Sequence, residues 1–235
     1  MSAPFRVLPL LAGLVFLLSP AAARAQATDA PKRPLVEVNT TVGRMVIALH
    51  NETPEHRDNF LKLVREHYYD STLFHRVVPG AMLIGGDAAS RLADDRHRVL
   101  GTGTSITSLP PEITPTLAHV KGALGAIRDD SFPADQKRSH GTGFYIIQGQ
   151  DWTPGELRMV EQKRNTADPG SAIAYTPEQV RAYATDGGSP RMDGEYTVFG
   201  QVLEGLDVID KIAALPCDNR DRPLTDVRIW MRVLP

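Results

Sequence analysis

Few side chains in this sequence have the type and spacing for bond-making chemistry. No G-x-S-x-G elbow occurs. None of the seven histidines belongs to an H-E-x-x-H pair of metal ligands. The single cysteine, Cys217, leaves no intrachain disulfide and no cysteine pair for zinc. Ser139-His140 is a loop dipeptide and does not make a triad. These absences argue against a hydrolase or a metalloenzyme. What remains is a cation in an apolar setting, Arg76 within Phe74-His75-Arg76-Val77-Val78-Pro79-Gly80. A guanidinium stays charged and presents several donors in a fixed fork, so it suits orienting or polarising a partner. Taken alone, Arg76 reads as a solvated strand arginine, and His75 as a packed structural imidazole.

The elements that must position such a group are short and mostly extended. Strands are expected near 35–39, 44–50, 72–78, 82–84, 122–127, 144–147, 197–202 and 226–233, with Pro79-Gly80 and Gly85-Gly86-Asp87 closing two of them. In the second strand both faces are apolar, as in a strand covered on both sides. Thr53-Pro54-Glu55 starts a helix with Thr as N-cap, Pro in the first turn and Phe60, Leu63 and Val64 as its buried stripe. Thr153-Pro154-Gly155-Glu156 and Thr176-Pro177-Glu178-Gln179 match the capping box and start helices near 156–164 and 177–185. A further helix, 206–214, buries Val208, Ile209 and Ile212. Residues 88–118 are mostly polar and loop-like. The stretch 149–190 is more helical and polar than its flanks and reads as an insertion in one domain, 34–235.

Arg6, an apolar run from Val7 to Leu18 and the small-residue site Ala23-Arg24-Ala25 describe a cleavable secretion signal, 1–25, followed by a polar tether, 26–33. The run is too short to span a bilayer, and no cysteine follows it to take a lipid. Export is therefore expected, to the periplasm if the source is bacterial, with no membrane attachment after cleavage. Removing the signal deletes two arginines and no acids, which leaves a net charge of about −4. That balance gives no basic field for nucleic acid. Oligomeric state is not readable.

Beyond the Phe74-His75-Arg76 run, several blocks fall in a familiar order. They are Asn59-Phe60, Tyr69-Asp70, Gly85-Gly86-Asp87, Gly122-Ala123-Leu124, Gly141-Thr142-Gly143-Phe144-Tyr145-Ile146, and Met192-Asp193-Gly194 leading to Val198-Phe199-Gly200. In these blocks the chain resembles the cyclophilins, from about Leu35 to Pro235 and interrupted by the insertion. The resemblance implies a mainly β fold, a closed eight-stranded antiparallel barrel capped by two helices. It also implies an outer groove for proline, with Arg76 as the donor to the prolyl nitrogen and Met82, Ile127, Arg128, Tyr145, Met192 and Tyr196 as substrate-binding residues.

Isomerisation needs no cofactor or metal. The peptide-bond barrier is about 18–20 kcal/mol, while the two X–Pro ground states differ by only about 0.5–1 kcal/mol. The twisted transition state returns a lone pair to the prolyl nitrogen, so a donor aimed there, beside a dry pocket for the ring, accelerates rotation. The chain departs from the family where Ala81 replaces an aromatic, Ile84 and Gly143 replace two groove glutamines, Tyr145 replaces a Phe, Met192 a Leu, Arg191 a Trp and Tyr196 a His. Two amides that would hold the peptide are gone, at about 1 kcal/mol each. The expected function is therefore a prolyl isomerase assisting exported proteins. Weak catalysis, or a proline-binding module or chaperone without catalysis, is the alternative. The insertion, whose ends flank the groove, is expected either as a wall or lid or as a helical pair packed on the barrel.

Overall fold

The computed structural model describes residues 32–92, 98–102 and 107–235. The signal segment, all but the last two residues of the tether and parts of the polar stretch 88–118 lie outside the described residues. The described strands are β1 (Leu35–Thr40), β2 (Arg44–Leu49), β3 (Thr72–Leu73), β4 (Arg76–Val78), β5 (Met82–Gly85), β6 (Ser108–Leu109), β7 (Ala123–Arg128), β8 (Ser139–Ile147), β9 (Val198–Glu204) and β10 (Arg228–Val233). The helices are α1 (Pro54–Arg65), α2 (Pro154–Ala167), α3 (Pro177–Thr185) and α4 (Leu206–Ala213).

All strand pairs are antiparallel, in the order β3-β10-β1-β2-β9-β7-β8-β5-β4, with β6 added to β8. The expectation of a closed eight-stranded barrel with two helices is corrected here. The sheet has ten described strands, curls without closing, leaves its edges 8 Å apart, and is covered by four helices. The reason lies in the segment read as one strand over 72–78. It splits into β3 and β4, the two ends of the sheet, because its partners change midway. Phe74 donates its N–H to Val227 O, whereas His75 donates to Ile84 O in β5. No ladder joins β3 to β4 across that break.

Alternation sorts the strand residues onto two faces. Leu83, Leu124, Ala126, Phe144, Ile146 and Phe199 point inward to the main core, with Phe60, Leu61 and Val64 of α1 and Val208, Ile209 and Ile212 of α4. Phe60, Tyr69, Phe74, Phe144 and Phe199 meet there as tilted and edge-on aromatic pairs with centroids 5.2–6.1 Å apart. Ala123, Tyr145, Ile147 and Val198 point outward and form a second apolar cluster with Met82, Ile84, Ile127 and Met192. The strands are apolar on both faces because the outer face carries the groove described below.

Both capping boxes form, at Thr153 with Glu156 and at Thr176 with Gln179. Thr53 occupies the N-cap of α1 but its side chain makes no cap bond. Glu112, remote in sequence, accepts the N–H groups of Glu55 and His56 at 3.0 and 2.9 Å and meets His56 Nδ1 at 2.6 Å. A carboxylate on those orphan donors also complements the helix dipole. Asn59 of α1 donates to Gly141 O at 2.6 Å and Tyr69 to Thr142 O at 3.2 Å, fixing the stretch of β8 that leads to Tyr145.

Glu37 ties three strands together. It is 5% exposed and accepts bonds from Arg232 of β10 and Arg44 of β2, each at 2.7 Å, and from Asn39 at 2.8 Å. The Arg232 bond, then that of Arg44, holds its carboxyl down from the ordinary 4.5 to about 2. A depressed carboxyl stabilises the fold above its unfolded pKa and loses that contribution as pH falls through the folded value. The urea midpoint of the wild type is therefore expected to exceed that of Glu37→Gln by a constant margin above about pH 4.5, and the margin to shrink between pH 4.5 and 2. A margin that does not change over that window would contradict the assignment.

Candidate active site

The outer face of β4, β5, β8 and β7 carries a groove of about 710 Å³. All seven residues singled out from the sequence line it: Arg76, Met82, Ile127, Arg128, Tyr145, Met192 and Tyr196. Register explains their convergence. Arg76 pairs with Ile84, Ile84 with Tyr145 and Tyr145 with Gly125, so these four form one row across the sheet. At roughly 4.8 Å per strand, Arg76 and Tyr145 sit about 10 Å apart along the row, with the apolar side chains of Met82, Ile84, Ile127 and Met192 around them. The floor is therefore apolar, and charged side chains of both signs complete the lining.

Tyr145 lies over a glycine. A Cβ on Gly125 would come within 2.2–2.3 Å of the Tyr145 ring and hydroxyl, so only glycine lets the ring lie flat on β7. The hydroxyl is used inside the protein. It meets His119 Nε2 at 2.9 Å, while His119 Nδ1 meets Asp193 Oδ1 at 2.7 Å. Because a carboxylate only accepts, His119 Nδ1–H donates to Asp193; in that tautomer the Tyr145 hydroxyl donates to Nε2. Tyr183 donates to the other oxygen of Asp193. The four groups are 0–4% exposed. Burial, first of all, raises the Tyr145 phenol well above its usual range, so it stays protonated and hydrogen-bonded inward. Toward the groove Tyr145 presents an apolar ring, as a phenylalanine would. Tyr145 and Tyr196 meet edge-on with centroids 6.3 Å apart.

Arg76 is half exposed and its Nε donates to Asp221 Oδ2 at 3.1 Å. Arg128 lies 4.7 Å over the Tyr196 ring and donates to Glu195 O, so its side chain forms the far rim. Arg191 stacks 5.4 Å from Trp152 and does not line the groove. His75 is buried, as expected of a packed imidazole, and burial pushes its pKa below the usual histidine range. Ile84 lines the groove and Gly143 an adjoining recess of about 200 Å³, so neither offers an amide there.

Neither insertion helix contributes a lining residue, so among the described residues the insertion does not cover the groove as a lid. It stands behind one wall. Trp152, Leu157 and Tyr183 form a small core of their own with Tyr175 and Val180. From there Arg164 donates to Gly194 O at 2.8 Å and pairs with Glu195, Tyr175 donates to Pro190 O at 3.1 Å, and Tyr183 holds Asp193. These contacts grip the segment 190–196, which carries Met192 and Tyr196.

A family model described as "Cyclophilin type peptidyl-prolyl cis-trans isomerase/CLD" matches residues 35–232. The chain belongs to this family. It is 29% identical over 195 residues to the Schizosaccharomyces pombe "Peptidyl-prolyl cis-trans isomerase ppi1", covering 83% of this chain and 94% of that one. It is 31% identical over 195 residues to a "Putative peptidyl-prolyl cis-trans isomerase" of Staphylococcus saprophyticus, covering 82% and 87%. A 29% match over 204 residues to a Streptococcus pyogenes "Putative bifunctional phosphatase/peptidyl-prolyl cis-trans isomerase" covers 83% of this chain but 37% of that longer one. Among solved structures, a Cryptosporidium parvum cyclophilin-type isomerase superposes with a TM-score of 0.60 at 20% identity, covering 86% of this chain and 98% of its own; this likeness concerns the fold. Fold and family make the chain a cyclophilin-type isomerase, an enzyme of proline-containing peptides.

Within this cyclophilin-type domain, sequence reading missed His119, Asp193 and Tyr183 as the support of Tyr145, and Asp221 as the partner of Arg76. Asp193 stood inside a quoted block, Met192-Asp193-Gly194, and was the one signal available. The other three carry no local pattern.

Proposed function

We propose that this chain catalyses cis-trans isomerisation of X–Pro bonds in exported polypeptides, with Arg76 donating to the prolyl nitrogen. The observation that carries the reading is a guanidinium whose terminal Nη groups take no hydrogen bond among the described residues, lining the same groove as an apolar hollow of Met82, Ile127, Tyr145 and Met192. In the planar ground state the prolyl nitrogen lends its lone pair to the carbonyl and is a poor acceptor. In the twisted state the lone pair returns, and a donor held there binds the transition state more tightly than the substrate. The apolar hollow keeps water off the ring and strengthens that bond. Arg128 and Tyr196 form the opposite rim and contact the chain flanking the proline.

Export is supported by the signal pattern in 1–25. A catalyst outside the cytoplasm serves folding steps that proline switching delays by tens of seconds or more. The test is refolding of a secreted protein whose slow phase is proline-limited. The purified chain is expected to accelerate that phase in proportion to its concentration; an unchanged slow phase would sink the reading. A second reading, proline binding without catalysis, is favoured by Ile84 and Gly143, which leave the groove without the family's amides. Its signature is saturable peptide binding with no catalysed exchange.

A further inference from the structure

Arg76 opens β4, the last strand of the sheet, and its side chain is 55% exposed. Its cross-strand neighbour, Ile84, has no side-chain acceptor to hold a guanidinium. A long cation in that position samples many rotamers unless something fixes it. One group does so. Asp221 Oδ2 takes Nε at 3.1 Å, and among the described residues the Arg76 side chain makes no other hydrogen bond. The bond occupies the inner nitrogen of the fork and leaves both Nη groups for a ligand.

Asp221 is itself tightly placed. Its carbonyl accepts the N–H of Val77, the residue after Arg76, at 2.8 Å. Its own N–H donates to Asp218 O at 3.1 Å, and the Asp218 carboxylate accepts the N–H groups of Arg220 and Arg222 at 2.8 and 3.0 Å. A bridge between Cys217 and Pro223 closes the base of the loop. The turn holds Asp221 at φ 60°, a left-handed conformation that Asp and Asn tolerate better than other side chains. The loop is thus pinned to the backbone of β4 beside the arginine it contacts. A solvent-exposed ion pair adds little to stability, so this arrangement needs another reason.

We propose that Asp221 is a positioning residue for the reaction: it fixes Arg76 through Nε so that the Nη donors are already oriented toward the prolyl nitrogen when substrate arrives. The proposal rests on the reading of Arg76 given above. Ordering one rotamer-rich side chain in advance is worth about 2- to 10-fold in rate. Since the orientation matters chiefly once the amide twists, the loss falls on kcat.

The experiment is a double-mutant cycle on the full chain, read by catalysed exchange of a Leu-Pro peptide. Asp221→Gly keeps the left-handed turn and removes the acceptor; Asp221→Asn keeps both the turn and a side-chain oxygen. The Gly variant is expected to lose about 2- to 10-fold in kcat with KM essentially unchanged, and the Asn variant to keep most of the wild-type rate. In an Arg76→Ala background, Asp221→Gly is expected to cost nothing further. Thermal melts accompany each variant, so that unfolding is not read as lost positioning. Wild-type or faster kcat in Asp221→Gly, or an equal loss with and without Arg76, would overturn the proposal. If Arg76→Ala alone has wild-type activity, the reading of Arg76 itself has failed, and this inference falls with it.

Discussion

Arg76→Ala is expected to lower kcat/KM for an Ala-Pro or Leu-Pro peptide by about 10- to 150-fold, while peptide binding and thermal stability stay close to wild type. The magnitude follows from one charge-assisted hydrogen bond, about 1.5–3 kcal/mol, present in the transition state and absent in the ground state. The pattern matters as much as the size. Removing an interaction made only in the transition state lowers kcat and leaves KM. Stability should hardly move, because the side chain is 55% exposed and its pair with Asp221 stands in solvent. A variant whose loss lies wholly in KM would show that Arg76 binds the peptide without assisting rotation.

The largest structural effect is expected from Gly125→Ala. The new methyl would lie 2.2–2.3 Å from the Tyr145 ring. The ring cannot shift without breaking its hydroxyl bond to His119 or disturbing its edge-on contact with Tyr196. Overpacking of this kind costs about 1–3 kcal/mol. Pulling the hydroxyl from His119 would leave buried polar groups unsatisfied, at about 1–3 kcal/mol more. A ring pushed outward would also fill the hollow meant for proline. Gly125→Ala is therefore expected to lower the denaturation midpoint and to abolish peptide binding together. In a Tyr145→Ala background the same substitution should be nearly neutral for stability, since the clashing atoms are gone. Equal destabilisation in both backgrounds would mean that the ring does not lie on Gly125.

Local signals in the sequence translated well into structure. The boxes at Thr153 and Thr176 formed because all of their partners lie within one turn. The groove residues converged because each sat in a block whose order reflects one sheet, and two-residue alternation sent Tyr145, Met82 and Ile127 to the same face. What the sequence left open or misplaced was settled by distant partners. Thr53 looked like a cap, but the N–H groups of Glu55 and His56 went to Glu112. Residues 72–78 looked like one strand, but Phe74 and His75 bond to opposite edges of the sheet, and the sheet stays open there. The insertion sat beside the groove in sequence and behind its wall in space, where Arg164, Tyr175 and Tyr183 hold 190–196. Tyr145 illustrates both cases. Its place in the groove was legible, but the fate of its hydroxyl depended on His119, whose role no motif announced.

The most direct measurement is two-dimensional exchange NMR on a Leu-Pro peptide, with the wild-type chain and with Arg76→Ala at equal concentration and matched saturation. Cis and trans peptide signals should exchange rapidly with the wild type, and only at a small fraction of that rate with the variant, although both shift the same peptide resonances. Equal exchange rates in the two samples would contradict a mechanism built on the Arg76 guanidinium.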